Sequence, residues 1–293
     1  MAENSAGLNR VGRRWFPDLH AHSQASDGAL TPSELVYLAK ERGLNLLALT
    51  DHDSLRGIDE ACSAAAKADI SLIPGIEIST EGDDEIHILG YFAAPGCAAL
   101  DGLIAEIQAD RISRGEKHLS ALRALNLHLS MEEVHIPEGA MFSRPLLAQA
   151  MVRKGYAASV EDAFDRYLGV GRPAYVEKLA VKAKDAIRAL RAAGAVPVLA
   201  HPGEIRDKEG LEKKVELWQA SGLMGIEVYH PGNSAQERIL WEVFARNRGM
   251  LVTGGSDFHR MQDKKHADLG QMLGDWKNAS EDAEALFKLG QRS

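Results

Sequence analysis

His20 and His22 stand two residues apart in Phe16-Pro17-Asp18-Leu19-His20-Ala21-His22-Ser23. In an extended segment that spacing points both imidazoles to one side, where they can share a cation. Asp27 follows in Ser26-Asp27-Gly28, a turn able to bring a carboxylate back beside the pair. Imidazole and carboxylate are together acceptable donors to zinc, manganese or iron. The same residue types recur along the chain as His52, Glu77, His87, His201, His230, Asp257 and His259. Glu77 sits inside the apolar run Leu72-Ile73-Pro74-Gly75-Ile76-Glu77-Ile78. A carboxylate buried there is costly unless it is paired or bound to metal.

Something must bring these scattered residues together, and the elements between them are legible. Thr31-Pro32-Ser33-Glu34 is a helix start, with Thr31 as N-cap, Pro32 in the first turn and Glu34 positioned to close a capping box. Leu46 to Thr50 is a short apolar run of the kind found in buried parallel strands, and Thr50-Asp51-His52-Asp53 ends it. A helix is predicted over about 57–68, then strands over 71–79 and 86–92. Periodicity turns helical from about 98 to 167. Alternation then resumes: a helix near 183–193, a strand ending at His201, a helix over 211–220, and a strand ending at His230. A helix over 234–248 and a strand running into Asp257 and His259 follow, with a loop and a last helix after His266. Repeated βα units bring strand ends to one face of an α/β barrel. The fold expected is therefore α/β, a barrel in two parts, 12–97 and 176–285, interrupted by a helical insertion subdomain over 98–175.

Bulk properties narrow the function. The net charge of −8 opposes extended, sequence-independent nucleic-acid binding, which needs a basic face. Two cysteines, Cys62 and Cys97, have no metal-ligand spacing and argue against a disulfide scaffold and for a reducing compartment. With no apolar leader within 1–14 and no run long enough to span a bilayer, the expectation is a cytoplasmic protein without membrane contact.

Taken in order, Asp18-Leu19-His20-Ala21-His22-Ser23, Thr50-Asp51-His52-Asp53, Gly75-Ile76-Glu77, Ala200-His201-Pro202 and Ser256-Asp257-Phe258-His259 resemble the successive motifs of the PHP family, named for polymerase and histidinol phosphatase. The resemblance implies a distorted seven-stranded barrel and a trinuclear metal centre. Its motifs imply that His20, His22, Glu77 and Asp257 hold one divalent cation and Asp27, His52 and His259 a second. Glu77, His87 and His201 would hold a third, with Glu77 bridging. Manganese is the first expectation, with iron or zinc compatible. The interruption after His87 resembles a bacterial branch acting on 3′,5′-nucleoside bisphosphates and on short RNA 5′ ends.

The function expected is hydrolysis of phosphate esters on small nucleotides, most specifically a 3′,5′-nucleoside bisphosphate, by a metal-bridged hydroxide. His230 is the candidate general acid. Arg111 and Arg114, three apart on a predicted helix, share a face and can grip phosphate, although Asp110 and Arg114 also make an i,i+4 pair on a solvated surface. Arg144 in Phe142-Ser143-Arg144-Pro145 and Arg172 in Gly171-Arg172-Pro173 are further substrate-binding candidates. Alternatives are a cyclic-nucleotide phosphodiesterase, a 5′-to-3′ exonuclease on short RNA, and a histidinol-phosphate phosphatase. A non-catalytic metal-binding regulatory module is the rival of another class; loss of a ligand would favour it, and none is missing. Oligomeric state is not legible.

Overall fold

The structure, a computed structural model, describes residues 14–80, 86–136, 142–177, 179, 181–205, 208–262 and 267–290. The first two residues of the expected barrel segment, residues 1–13 of the N-terminal stretch read for a leader, and the start of the tail around His266 lie outside the described residues.

Seven strands form one sheet in chain order: β1 (Pro17–Asp18), β2 (Leu46–Leu49), β3 (Ser71–Ser79), β4 (His87–Tyr91), β5 (Val196–Leu199), β6 (Gly225–Tyr229) and β7 (Leu251–Gly254). All neighbours are parallel except around β4, which runs antiparallel to both β3 and β5. The ring closes past the regular strands. Leu19 N donates to Gly254 O at 3.1 Å, Asp257 N to His20 O at 2.9 Å, and His22 N to Phe258 O at 2.9 Å. Asp18 fastens this seam, its buried carboxylate accepting from the backbone N–H of Ser256 at 3.0 Å and of Gly270 at 2.7 Å.

The helices are α1 (Pro32–Glu41), α2 (Ile58–Ala68), α3 (Ala98–Ala124), α4 (Met131–Val134), α5 (Arg144–Arg153), α6 (Val160–Ala163), α7 (Ala183–Ala192), α8 (Leu211–Ala220), α9 (Ala235–Asn247) and α10 (Ala279–Gly290). A π-helical turn spans Phe164–Leu168. α1 begins on the expected capping box, with Thr31 Oγ1 accepting from Glu34 N at 3.2 Å and Glu34 accepting from Thr31 N at 2.8 Å. α7 buries Ala183, Ala186, Ile187 and Leu190, the i, i+3, i+4, i+7 stripe of a helix lying on a sheet.

The main core fills the barrel and its outer helices, and a second cluster packs α1 and α2 onto β2. A third gathers Leu119, Leu122, Phe142, Leu147, Met151, Leu168 and Ala174 among the helices of the interruption. α3 joins two of these clusters: Leu100 and Ile107 belong to the barrel core, Leu119 and Leu122 to the helical one. One continuous helix thus connects the barrel core to the helical cluster.

Candidate metal centre

The donors gather at the barrel rim through extensions of the strands. His20 and His22 flank Ala21, which forms a single bridge with Phe258, and the two Nε2 atoms approach to 3.1 Å. The loop carrying Asp27 is held by Asp51, whose Oδ1 accepts from Ser23 N at 2.7 Å and Ser26 Oγ at 2.6 Å. A Cβ on Gly28 would lie 2.4 Å from His22 O, so only glycine permits this turn to fold back so closely. His52 bridges to Glu77 across the β2–β3 extension. His201 follows β5, His230 follows β6, and Asp257 and His259 follow β7. His87 differs from the others: it opens its strand, paired with Ser79. Because β4 is reversed, its first residue lies beside the last residue of β3, and His87 reaches the same rim.

The seven imidazoles of His20, His22, His52, His87, His201, His230 and His259 form a continuous group, neighbouring ring centroids lying 4.2–6.0 Å apart. Three overlapping donor sets that share Glu77 or His22 lie within it, and two smaller groups, His20 with Glu227 and His230, and His230 with Glu204 and Asp257, lie beside them. In the first, Nε2 of His20 and His22 stand 3.3 and 3.2 Å from Glu77 Oε2 and 3.4 and 3.1 Å from Asp257 Oδ1. The second joins Asp27, His52 and His259 and draws in His22; Asp27 Oδ1 is 3.2 Å from His259 Nε2 and 3.8 Å from His22 Nδ1. In the third, Glu77 Oε1 is 2.9 Å from both His87 Nδ1 and His201 Nε2, while Oε2 is 2.9 Å from His52 Nδ1. His52 therefore stands between two sets, where the motif order had assigned it to one.

These residues fit cations. Glu77 Oε2, His22 Nδ1 and His52 Nδ1 are buried and in close polar contact, yet make no hydrogen bond. Such atoms are normally satisfied. Donor atoms bound to one cation at about 2.1 Å would stand about 3.0–3.4 Å apart, the separation found in the first set. Burial alone would raise the Glu77 carboxyl; the facing His52, His20 and His87 instead hold it well below the usual carboxylate range. Burial opposes charge on His22 too, but Asp257 and Glu77 outweigh it and raise the imidazole to about 10. His87, where burial dominates, falls to about 4. Backbone strain collects here as well, with positive φ at Asp53 (50°), His201 (26°) and Asp257 (54°).

His230 is fully buried, and its Nδ1 accepts from Gly232 N at 2.9 Å. Nε2 must then carry the proton in the neutral ring, and it faces Asp257 Oδ2 at 3.5 Å. Glu227, buried in β6 with Nδ1 of His20 at 3.0 Å, was missed by sequence reasoning. Its signal was the one that exposed Glu77, an acidic residue inside an apolar strand.

The arginines divide. Arg111 reaches the rim, pairing with buried Asp53 and donating to Ser79 Oγ at 3.2 Å. Arg114 is buried, not on a solvated surface, with its Nε 2.7 Å from Asp110. Burial lowers its pKa, and the nearby Arg111 and Arg144 cations lower it further, so three guanidinium groups are electrostatic neighbours. Arg144 lies over the Phe164 and Tyr175 rings at 5.8 and 5.6 Å. Arg172 occupies an exposed turn.

Fold and site together define a barrel protein with a clustered group of histidines and carboxylates able to bind metal ions. The chain belongs to the PHP-domain family, whose model matches residues 18–187. A 3′,5′-nucleoside bisphosphate phosphatase of Chromobacterium violaceum is 35% identical over 83% of this chain and 86% of the relative. A 5′-3′ exoribonuclease of Haemophilus influenzae is 34% identical over 83% of this chain and 89% of its own. Among solved structures, a protein of Bifidobacterium adolescentis assigned as a metal-dependent phosphoesterase superposes with a TM-score of 0.80 at 28% identity, covering 94% of this chain and 96% of that one.

Proposed function

We propose that this protein is a metal-dependent phosphoric ester hydrolase that removes phosphate from a 3′,5′-nucleoside bisphosphate. The observation that carries the hydrolase reading is the sharing of Glu77 among donor sets in which Glu77 Oε2, His22 Nδ1 and His52 Nδ1 are buried without a hydrogen bond. His20, His22, Glu77 and Asp257 would hold one cation, Asp27, His52 and His259 with His22 a second, and Glu77, His87 and His201 a third. Manganese suits this mixture of imidazole and carboxylate, as do iron and zinc. Divalent cations at such a site supply Lewis-acid activation of water and neutralise charge on phosphoryl oxygens.

The chain's own residues do the rest. Asp257 and Glu77 are held well below the usual carboxylate range by the facing imidazoles and so supply negative charge to the site. His230, with Nδ1 occupied by Gly232 N–H and Nε2 facing Asp257, would deliver the proton to a leaving alkoxide. The segment 98–175 serves as the substrate-recognition subdomain, where Arg144 and Arg114 offer charge for a second phosphate and Arg111 joins them from the rim. The 35% identical bisphosphate phosphatase supports this choice, and the exoribonuclease at 34% supports a second reading in which the same arginines engage the phosphodiester chain of short RNA.

Phosphate release from bisphosphates, cyclic nucleotides, dinucleotides, short 5′-phosphorylated RNA and histidinol phosphate, with manganese supplied, separates these readings. The bisphosphate is expected to give the highest kcat/KM; preference for RNA would move the assignment to an exonuclease. Arg144→Ala is expected to raise KM for a bisphosphate about tenfold or more while leaving an aryl phosphate nearly unaffected. Equal effects on both substrates would remove Arg144 from recognition of the second phosphate.

A further inference from the structure

Glu227 is an acidic side chain with no exposure at all, on β6, outside the three donor sets that share Glu77 or His22 and grouped instead with His20 and His230. Its two oxygens have two assignments. Oε1 lies 3.0 Å and Oε2 3.2 Å from His20 Nδ1, and Oε2 also accepts from the backbone N–H of His201 at 2.9 Å. The residue is itself firmly mounted: Asn233 Nδ2 donates to Glu227 O at 3.0 Å and Val228 O at 2.8 Å, while its Oδ1 accepts from Gly203 N at 2.6 Å. Asn233 thereby ties the end of β6 to the turn that follows His201.

We infer that Glu227 is a positioning residue for two metal ligands at once, selecting Nε2 of His20 as the coordinating atom and fixing the backbone from which His201 projects. The inference rests on the proposed metal centre. Its logic is one of donors and acceptors. A carboxylate facing Nδ1 keeps the proton there, which leaves the lone pair on Nε2. That nitrogen is the one aimed at Glu77 Oε2, Asp257 Oδ1 and His22 Nε2, at 3.3, 3.4 and 3.1 Å. The other contact matters because His201 sits at φ 26°, a conformation that non-glycine residues keep only when their surroundings hold it. The N–H at that residue ends on Glu227. A histidine ligand whose second nitrogen donates to a carboxylate is oriented and made more basic, and loss of such a partner typically costs about 10- to 100-fold in metal affinity.

An amide is a sharp probe because both neighbours are donors. The carboxylate accepts from His20 Nδ1–H and from His201 N–H together; glutamine has one oxygen and must turn its NH2 toward one of them. Glu227→Gln nearly preserves volume; with its oxygen at the Oε2 position, where it can still accept from both donors, its NH2 takes the Oε1 position 3.0 Å from His20 Nδ1 and opposes a proton on that nitrogen. The experiment is manganese titration of metal-stripped wild-type and Glu227→Gln protein, followed by bound metal per chain, with thermal melts of both stripped proteins alongside. The expected result is about 10- to 100-fold weaker binding of at least one manganese in the variant, with a cooperative melt retained. Equal stoichiometry and affinity in variant and wild type would overturn the inference. Failure of wild-type protein to bind manganese would instead overturn the metal centre on which it rests.

A second measurement needs no variant. In zinc-loaded, 15N-labelled wild-type protein, long-range 1H–15N spectra should show His20 protonated at Nδ1 and coordinated through Nε2. Coordination through Nδ1 would overturn the assignment, whatever the stability of the variant.

Discussion

The proton on His230 has a defined place because a backbone N–H occupies the other nitrogen. Gly232 donates to Nδ1, so Nε2 bears the hydrogen and faces Asp257. This arrangement makes a directional prediction. Replacing His230 with glutamine should lower kcat at least about tenfold for a nucleotide ester, whose alkoxide leaves poorly without a proton. An aryl phosphate with a good leaving group should lose far less. Leaving-group dependence of kcat is the measurement, and identical losses on both substrates would remove His230 from proton delivery. His230, Glu77 and His201 were legible as chemistry-bearing residues because each ends or interrupts an apolar run. Glu227 offered a similar signal, but an acidic residue within a strand does not declare whether it faces a cation or another ligand.

Elements carry the second level of precision, and close backbone approach is the means. Gly255 lies where β7 meets the segment bearing His20, and a Cβ there would stand 2.3 Å from His20 Cβ. Gly255→Ala should therefore displace His20, destabilise the fold by about 1–3 kcal/mol, and reduce metal content per chain. Denaturant melts and metal analysis on the same sample check both effects. In the helical subdomain, His118 on α3 donates from Nδ1 to Ala174 O at 2.8 Å, tying the helix to the chain's return. Burial, opposed by this hydrogen bond and reinforced by the Arg144 and Arg114 cations, lowers its pKa to about 4. The folded protein thus keeps His118 neutral while the unfolded chain protonates near pH 6.5. Its contribution to stability is full above pH 6.5 and is lost as the pH falls from there toward 4. Between pH 7 and 5, wild type should lose about 2 kcal/mol more than His118→Gln. Urea melts across that interval should converge if His118 is responsible. That His118 is a buried tether was invisible beforehand, since only its helical position was readable.

At the scale of the whole molecule, the site is the seam of the barrel. The donors of the three sets come from six of the seven strands or their extensions, β6 excepted, so any cation they share cross-links residues from His20 to His259. Cations that bind only the folded chain should stabilise it by mass action. Removing metal with a chelator should lower Tm by several degrees, and manganese should restore it in a concentration-dependent way; calorimetry at several manganese concentrations is the test. Magnesium alone, a poor partner for imidazole, should restore less. No helix among the described residues is long and apolar enough to cross a membrane.

The amino-acid order by itself determined the alternation of strands and helices, the capped start of α1, and which residue types finish each apolar run, because periodicity, capping and hydropathy are local. It also carried the family resemblance, since the motifs lie in order along the chain. Only tertiary structure decided that β4 runs backwards and so brings His87 to the rim. It alone decided that His22 and His52 each belong to two donor sets, that Arg114 is buried, and that Glu227 contacts both His20 and the backbone of His201. Those outcomes depend on strand direction, on the rotation of side chains about a closed ring, and on contacts between residues as far apart as His20 and Glu227. No window of sequence contains both partners of such a contact, so local pattern could nominate the donors but could not say which would meet.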